Sequence, residues 1–257
     1  QMCIRDRKQC KIKLNMHSTL PQNNNINIFP IKAFRDNYIW VIQERLNVII
    51  VDPGDAKPVL KELKKKNINL IAILITHKHY DHTGGVEGLI NSYPSVKVFG
   101  PENTEFKFKY KIVKEGDVIS ILGTKVKLSV IETPGHTLDH IVFADKDHLF
   151  CGDTLFACGC GKLFEGSYRE MFESLSKISS LNPKTKVYCA HEYTKKNIRF
   201  ALTLNKENNK LIERYNRVKN LKITIPSLLA EELETNPFLR AKTVEEFKLI
   251  RKRKDEF

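Results

Sequence analysis

The stretch LIAILITHKHYDHTGG, residues 70–85, is the most distinctive part of the sequence. Its first six residues are apolar and predict a buried strand. Three histidines and an aspartate then fall within six positions, at His77, His79, Asp81 and His82. In extended chain His77 and His79 point to the same side, while Asp81 and His82 lie further round the turn. Neutral imidazole binds borderline cations such as Zn²⁺, so this loop predicts ligands for two adjacent metal ions.

Two metal ions need more ligands than this loop offers, and three other strand ends supply them. His136 follows ETPG, Asp153 follows LFCG and His191 follows VYCA, and in each case an apolar strand runs into a short turn that carries one ligand-type side chain. A lone aspartate after glycine is a turn residue about as often as a ligand. However, five of the eight histidines occupy such positions, which favours one shared centre. The remaining histidines lack this context and are not assigned to it: His17, His140 and His148.

The segments around these residues predict two packed sheets with helices on their outer faces, an α+β fold. Strands are expected at 38–43, 47–54, 70–77 and 96–100, antiparallel β-structure over 110–151, and a further strand at 186–191. Helices are expected at 57–66, after Asp55, and at 84–93 and 169–180. The ligand positions lie at the strand ends of this arrangement.

The pattern changes beyond residue 192, where the apolar spacing becomes helical throughout. Helices are expected at 195–204, 207–221, 227–234 and 244–254, with prolines marking the breaks. We therefore divide the chain into three parts. Residues 1–26 form a basic lead-in that is disordered or foreign to the fold, residues 27–191 an αββα catalytic domain, and residues 192–257 a helical substrate-binding domain.

Composition limits the class of protein. The 257 residues are 41% hydrophobic and 28% charged, and no apolar run approaches the roughly 18 residues that cross a bilayer. The net charge of +13 is concentrated at the ends, with +4 in residues 1–20 and +6 in residues 191–257. A basic C-terminal segment attracts anionic partners, although a solvated helix face is an equally good explanation.

Cysteine usage points to a reducing compartment. The six cysteines show no regular framework, and the N-terminus carries no hydrophobic signal segment. We expect a cytoplasmic location, with a mitochondrial one as the alternative. The pair Cys158 and Cys160 leaves one residue between its members, whereas zinc-binding pairs usually leave two to four. This pair is therefore interpreted as a loop of small residues.

These motifs resemble the metallo-β-lactamase superfamily, which implies an αββα sandwich with a dinuclear metal site at the sheet edges. Within it, the sequence resembles the glyoxalase II, or hydroxyacylglutathione hydrolase, family from about Ile28 to the end. The superfamily motif is specific for fold and metal, whereas GCGKLFEG and RKRKD point to the family. The supporting stretches are DNYIWVI, VDPGD, ETPGHTLDHI, GDTLFACGCGKLFEG, VYCAHEYT, NPFLR and RKRKDEF.

The resemblance implies how the ligands are divided. His77, His79 and His136 would hold one divalent ion; Asp81, His82 and His191 the other; Asp153 would bridge them. Zinc is the expected metal, with iron or manganese as alternatives. Coordination lowers the pKa of water from 15.7 towards about 7, so hydroxide is available as the nucleophile near neutral pH. Asp81 and Asp153 count as catalytic in this scheme, and no serine or cysteine nucleophile is expected.

The resemblance also implies the substrate, a glutathione thioester such as S-D-lactoylglutathione, cleaved to D-lactate and glutathione in the second step of methylglyoxal detoxification. The family binds the glutathione part of the substrate with basic and tyrosyl side chains. We also expect the protein to be a monomer. Where the family usually carries a second tyrosine this chain has Phe164, so one hydrogen bond worth about 0.5–1.5 kcal/mol is missing. The positions that match the glutathione site are Lys162, Phe164, Tyr193, Arg251 and Lys254.

Three other functions share parts of this pattern. A mono-iron persulfide dioxygenase has the same fold with a partial histidine set. A nuclease of the superfamily would exploit the positive charge, but such enzymes usually carry an inserted domain or long arm, and the sequence shows none. A binding module without catalysis would lack a complete ligand set. We therefore expect neither a nucleic-acid partner nor a membrane partner.

Overall fold

The first sheet carries the metal-loop motif and is built from the first half of the chain. The computed structural model describes residues 26–102 and 104–257. Strands β1 to β3 pair antiparallel, and β3 to β6 pair parallel in sequence order. The six strands are β1 (Asn27–Ala33), β2 (Asn37–Glu44), β3 (Asn47–Val51), β4 (Asn69–Leu74), β5 (Lys97–Pro101) and β6 (Lys111–Val113). The central strands are almost continuously apolar, as expected for strands covered on both faces.

Three helices connect the parallel strands: α1 (Ala56–Lys66), α2 (Tyr80–Thr83) and α3 (Val86–Ser92). The side chain of Asp55 caps α1 by accepting from the backbone N–H of Lys57. Val59 and Leu63 of this helix pack on the outer face of the sheet, against residues such as Ile50. The helix therefore covers one face of the first sheet.

The second sheet has the order β14, β13, β10, β9, β8, β7 and packs against the first. Its strands are β7 (Val118–Ser120), β8 (Lys127–Glu132), β9 (Ile141–Ala144), β10 (His148–Gly152), β13 (Lys186–Cys189) and β14 (Ser227–Leu228), and a small hairpin joins β11 (Leu155–Phe156) to β12 (Gly159–Cys160). Trp40 and Ile49 of the first sheet meet Val130 and Phe143 of the second in one buried core. The expected αββα sandwich is confirmed.

Helices cover the outer face of the second sheet and form the C-terminal region. They are α4 (Tyr168–Ser179), α5 (Thr194–Leu204), α6 (Asn209–Val218), α7 (Leu229–Thr235), α8 (Pro237–Arg240) and α9 (Val244–Asp255). Met171 and Leu175 of α4 join the core, and Phe247 of α9 packs beside Phe238. No helix among residues 26–102 and 104–257 is long and apolar enough to cross a membrane.

Two sequence expectations were wrong in detail. Strand β6 lies in the region expected to be antiparallel, yet it pairs parallel with β5, because a three-residue strand carries no pattern that distinguishes the two. Ser227 and Leu228 were expected to begin a helix, but they pair with β13 as an edge strand, and the helix begins at Leu229. The predicted lead-in, residues 1–26, lies outside the described residues except for its last position.

Candidate metal centre

All seven predicted ligand residues meet at one end of the two sheets. His77 and His79 follow β4, Asp81 and His82 lie in α2, and one residue each follows β8, β10 and β13. Within each of three overlapping groups the donor atoms lie within 4.8 Å of one another. The groups are His77, His79 and His136; His77, His82 and Asp153; and Asp81, His82 and His191.

Asp153 lies between the two sides of this cluster. Its Oδ2 is 3.4 Å from Nε2 of His136, and its Oδ1 is 3.4 Å from Nε2 of both His82 and His191. On the first side, Nδ1 of His79 lies 3.0 Å from His136 Nε2. On the second side, Oδ2 of Asp81 lies 3.4 Å from His191 Nε2. One carboxylate therefore faces both groups of imidazoles.

The chemistry of these donors fits a pair of metal ions. Nε2 of His82 and Oδ1 of Asp153 are buried without a hydrogen-bond partner among the described residues. Unpaired buried polar atoms are costly, and cations between the two sides would satisfy both. A mixed set of imidazole nitrogens and carboxylate oxygens suits zinc, iron or manganese.

Electrostatics keep three of these side chains, His77, His136 and Asp153, in the form that binds metal. Burial lowers the pKa of His77 well below its ordinary value, and it also lowers that of His136. Both imidazoles are therefore neutral near pH 7 and present a lone pair. Burial alone would raise the pKa of Asp153, but the imidazoles of His191 and His82 outweigh it, so the net shift is strongly downward. Asp153 is a carboxylate at any physiological pH. Burial would lower the pKa of His82 and His191, but neighbouring carboxylates, Asp153 first among them, raise it, so these two imidazoles release a proton when metal binds.

The second ring nitrogen of several histidines contacts a polar group. Nδ1 of His82 lies 3.0 Å from Oδ2 of Asp52, and Nδ1 of His191 lies 2.8 Å from Oδ1 of Asp36. Nδ1 of His136 donates to the backbone carbonyl of Lys162 at 2.7 Å. Such contacts fix the ring orientation and leave Nε2 facing the metal. Asp36 and Asp52 were not predicted as part of the site; their one signal in the sequence is their place beside strand ends.

His140 was not assigned to the centre, yet it lies next to it. Its ring stacks on His77 with centroids 4.7 Å apart, and its Nε2 accepts from the backbone N–H of Asp153 at 3.1 Å. It belongs to none of the three ligand groups. Gly152 has φ +48°, and a Cβ there would lie 2.9 Å from His140 Nε2 and 2.4 Å from Oγ1 of Thr76. His140 therefore positions Asp153 rather than joining the ligands.

An ion pair ties the loop after β12 to the histidine loop. Glu165 Oε1 lies 2.7 Å from Nζ of Lys78, which is flanked by His77 and His79. Its other oxygen accepts from the backbone N–H of Leu138 at 3.0 Å. One carboxylate thus connects three loops around the centre. The ion pair with Lys78 is partly exposed, so it contributes at most about 1 kcal/mol to stability.

Four of the predicted substrate-binding residues line one cavity of about 320 Å³ beside the metal centre: Lys162, Tyr193, Arg251 and Lys254. The ring of Tyr193 stacks on that of His191 at 4.8 Å, which places the cavity next to the second ligand group. Phe164 does not line this cavity. The residue is 61% exposed, and its ring lies edge-on to His79 and His136, with centroids 5.4 Å and 5.2 Å away.

The two cationic residues of α9 differ in their surroundings. The guanidinium of Arg251 is buried, donates to the carbonyl of Cys160 at 3.1 Å, and lies 2.8 Å from Asp255. The Nζ of Lys254 is buried with no hydrogen-bond partner among the described residues, about 5 Å from the rings of Phe200 and Phe257. Burial lowers the pKa of Lys254 to about 8. Lys254 is therefore the better placed of the two to receive an anion.

The described cysteines take no part in the centre. Cys151, Cys158, Cys160 and Cys189 are buried free thiols, and burial raises the pKa of each of them. None belongs to a metal-binding group among the described residues. Cys158 lies in the turn of the β11–β12 hairpin, whereas Cys160 is part of β12 and pairs with Leu155, so the interpretation of this pair as a loop was wrong for Cys160.

Comparison with known proteins places the chain in a family. Residues 34–191 match the profile of the metallo-beta-lactamase superfamily, and residues 192–257 match the hydroxyacylglutathione hydrolase C-terminus. A hydroxyacylglutathione hydrolase of Nitrosomonas europaea is 47% identical over 219 residues, covering 84% of this chain and 83% of that protein. Another, of Nitrosomonas eutropha, is 47% identical and covers 84% and 86% of the two chains.

Solved structures share the fold at lower identity. ETHE1 from Myxococcus xanthus superposes with a TM-score of 0.68 at 23% identity, covering 89% of this chain and 90% of that one. TTHA1623 in a di-iron-bound form has a TM-score of 0.61 at 22% identity, covering 82% and 100%. These likenesses concern the fold alone. From the matched profiles and the two Nitrosomonas relatives, the chain belongs to the metallo-β-lactamase superfamily and, within it, to the hydroxyacylglutathione hydrolase family.

Proposed function

We propose that the protein hydrolyses S-2-hydroxyacylglutathione thioesters, S-D-lactoylglutathione first among them, to a 2-hydroxy acid and glutathione. The observation that carries this proposal is the position of a basic cavity beside a seven-residue cluster of metal-ligand type. The family membership supports the same reaction. Water adds to the thioester carbonyl and the C–S bond breaks, which releases the 2-hydroxy acid and the thiolate of glutathione; the thiolate takes up a proton that the added water has lost.

We further propose that the protein binds two divalent metal ions at this cluster, and we expect them to be zinc. His77, His79 and His136 would hold one, Asp81, His82 and His191 the other, and Asp153 would bridge. When bound, such ions supply a water of lowered pKa and polarise the carbonyl oxygen. Two complete groups of donors favour this arrangement over the mono-iron centre of a persulfide dioxygenase.

The chain's own residues would bind and orient the thioester. Lys254 offers an unpaired ammonium to a carboxylate of glutathione, and Lys162 adds a second positive charge at the same cavity. Tyr193 provides a flat wall that continues from the His191 ring. Binding energy gained here would hold the scissile carbonyl beside the cluster, as remote contacts do in other enzymes.

The test is direct. Metal-loaded protein is incubated with S-D-lactoylglutathione, and loss of its ultraviolet absorbance is followed while elemental analysis counts the metals per chain. We expect turnover with two metals, loss of activity with a chelator, and recovery when metal is restored. His136→Ala should abolish turnover, while His148→Ala, a histidine paired with Asp145 away from the centre, should not. No turnover with both metals present would exclude this function.

A persulfide dioxygenase would give a different result, namely one iron per chain and consumption of oxygen. The expected monomer and cytoplasmic location stay predictions. Size-exclusion chromatography with light scattering tests the first, and fractionation of the source cells tests the second.

A further inference from the structure

A second cavity adjoins the one already described and has no role in the proposed function so far. It measures about 540 Å³ and is formed by the β1–β2 connection, the start of α5 and Lys222. Tyr193 and Lys196 line both cavities, so the two meet at these residues. Tyr193 stacks on His191, so the two cavities adjoin on the His191 side of the metal centre.

Four cations border this second cavity. Lys32, Arg35, Lys196 and Lys222 are all exposed at its rim. None of them forms a salt bridge with a carboxylate among residues 26–102 and 104–257, whereas Lys78 and Lys177, for example, do. The four charges are therefore available to an incoming anion.

Two carboxylates lie in the same cavity, and both are held in place from within. Asp36 is 2.8 Å from Nδ1 of His191. Glu192 accepts from the hydroxyl of Tyr38 at 2.8 Å and from the backbone and hydroxyl of Thr224 at 2.8 Å and 2.6 Å. A carboxylate has about four acceptor positions, so each retains one for a ligand. The cavity therefore offers both signs of charge.

The first cavity has a different character. Its cations are Lys162, Lys196, Arg251 and Lys254, and its one lining carboxylate, Asp255, already pairs with Arg251. Such a site suits a simple anion. Glutathione is a three-residue molecule with a plain carboxylate at its glycine end and both a carboxylate and an ammonium at its γ-glutamyl end. Its extended length of roughly 10 Å is enough to reach across two adjoining cavities.

We propose that the second cavity binds the γ-glutamyl end of the glutathione thioester, with its carboxylate among Lys32, Arg35 and Lys222 and its ammonium towards Asp36 and Glu192. The glycine carboxylate then occupies the first cavity, near Lys254. This inference rests on the proposed function and extends it, because it makes the enzyme selective for the whole tripeptide over its cysteinylglycine fragment.

The experiment compares two substrates, S-D-lactoylglutathione and S-D-lactoyl-N-acetyl-cysteinylglycine, which carries an acetyl group in place of the γ-glutamyl residue and so keeps its thioester. The variant is Lys32→Met combined with Lys222→Met, because these two side chains line the second cavity and not the first. Partly exposed ion pairs are each worth about two- to fivefold in affinity. We expect the double variant to lose about tenfold in kcat/KM towards the glutathione thioester, mostly through KM, and to keep its activity towards the fragment.

Lys64→Met with Lys65→Met is the matched control, since it removes two exposed charges from α1 without touching either cavity. Titration calorimetry of S-methylglutathione into the metal-loaded proteins gives a second readout that does not depend on catalysis. An unchanged KM in the double variant overturns the inference, and so does an equal loss for both substrates, which would indicate general attraction of anions. Absence of turnover in the unmodified protein would instead contradict the proposed function.

Discussion

The carboxylate of Asp52 lies 3.0 Å from Nδ1 of His82 and holds that imidazole from the side opposite the metal centre. The same carboxylate accepts from the backbone N–H of Thr76 at 2.8 Å and from its hydroxyl at 2.7 Å. Thr76 precedes His77, so one buried aspartate fixes both the start of the histidine loop and a ligand within it. The position of Asp52 at the end of β3 makes this contact possible.

Asp52→Asn should weaken metal binding by about 10- to 100-fold, the range seen when a polar partner of a ligating histidine is removed. The neutral amide retains the shape but not the charge that supports His82. Competition with a chelator measures the affinity. Asp55→Asn is the control, because asparagine caps a helix as well as aspartate does and the side chain of Asp55 accepts its hydrogen bond from Lys57 of α1. Equal metal affinity in the two variants would show that Asp52 does not support metal binding.

Lys254 predicts a pH dependence in substrate binding. Burial lowers its pKa to about 8, with Lys196 and Arg251 adding to the shift. The ammonium is therefore present below pH 8 and is lost as the pH rises through that value. We expect kcat/KM for the glutathione thioester to fall above about pH 8, while kcat changes less because the bound carboxylate retains the proton. A pH profile in Lys254→Met should lack this step.

The same residue makes a prediction about stability. In the unfolded chain Lys254 titrates near its ordinary value of 10.5, so the unfolded state binds more protons between about pH 8 and 10.5. The contribution of Lys254 to the free energy of unfolding therefore rises with pH across that window. At neutral pH its buried positive charge lowers the free energy of unfolding. Lys254→Met should raise both the melting temperature at pH 7 and the KM. A lower melting temperature would contradict the burial of an unpaired ammonium.

Arg251 should prove more important for stability than for direct contact with substrate. The residue is 4% exposed, and its guanidinium donates to the carbonyl of Cys160 and lies 5.1 Å from the centroid of the Phe238 ring. Arg251→Ala should lower the free energy of unfolding by about 2–4 kcal/mol, since it leaves Asp255 and a buried carbonyl unpaired. Denaturant unfolding and KM are measured together. A raised KM at unchanged stability would show that Arg251 touches the substrate instead.

Phe164→Tyr tests the departure of this chain from its family. The ring lies beside His79 and His136 and is largely open to solvent, so a hydroxyl can be added without disturbing the core. A new hydrogen bond of about 0.5–1.5 kcal/mol corresponds to a two- to tenfold lower KM for the glutathione thioester. Unchanged kinetics would mean that the hydroxyl at this position does not reach the substrate.

The sequence predicted the layers of the fold because the periodic signals were long. Strands β2, β3 and β4 and helices α1 and α4 each appear as an extended apolar pattern. The strands that were misjudged, β6 and β14, have only three and two residues. Pairing of such short segments is decided by which neighbour the returning chain meets. Local pattern carries no information about that choice.

The candidate site was predictable to a similar depth. Ligand-type residues directly after strands were found because strand ends collect at one edge of a sheet, and the structure brings all seven together. The supporting residues were not found, since Asp36, Glu165 and His140 act through contacts across the chain that have no local signature. The different surroundings of Arg251 and Lys254 likewise depend on which buried partners each cation meets, and a basic run of sequence does not reveal them.

The bond from Arg251 to Cys160 has a consequence for synthesis on the ribosome. Every candidate ligand has been translated once His191 is made, yet the wall of the cavity that contains Arg251 and Lys254 is complete only when α9 emerges about sixty residues later. In the order of translation, the candidate metal ligands therefore come before the cations that complete this cavity.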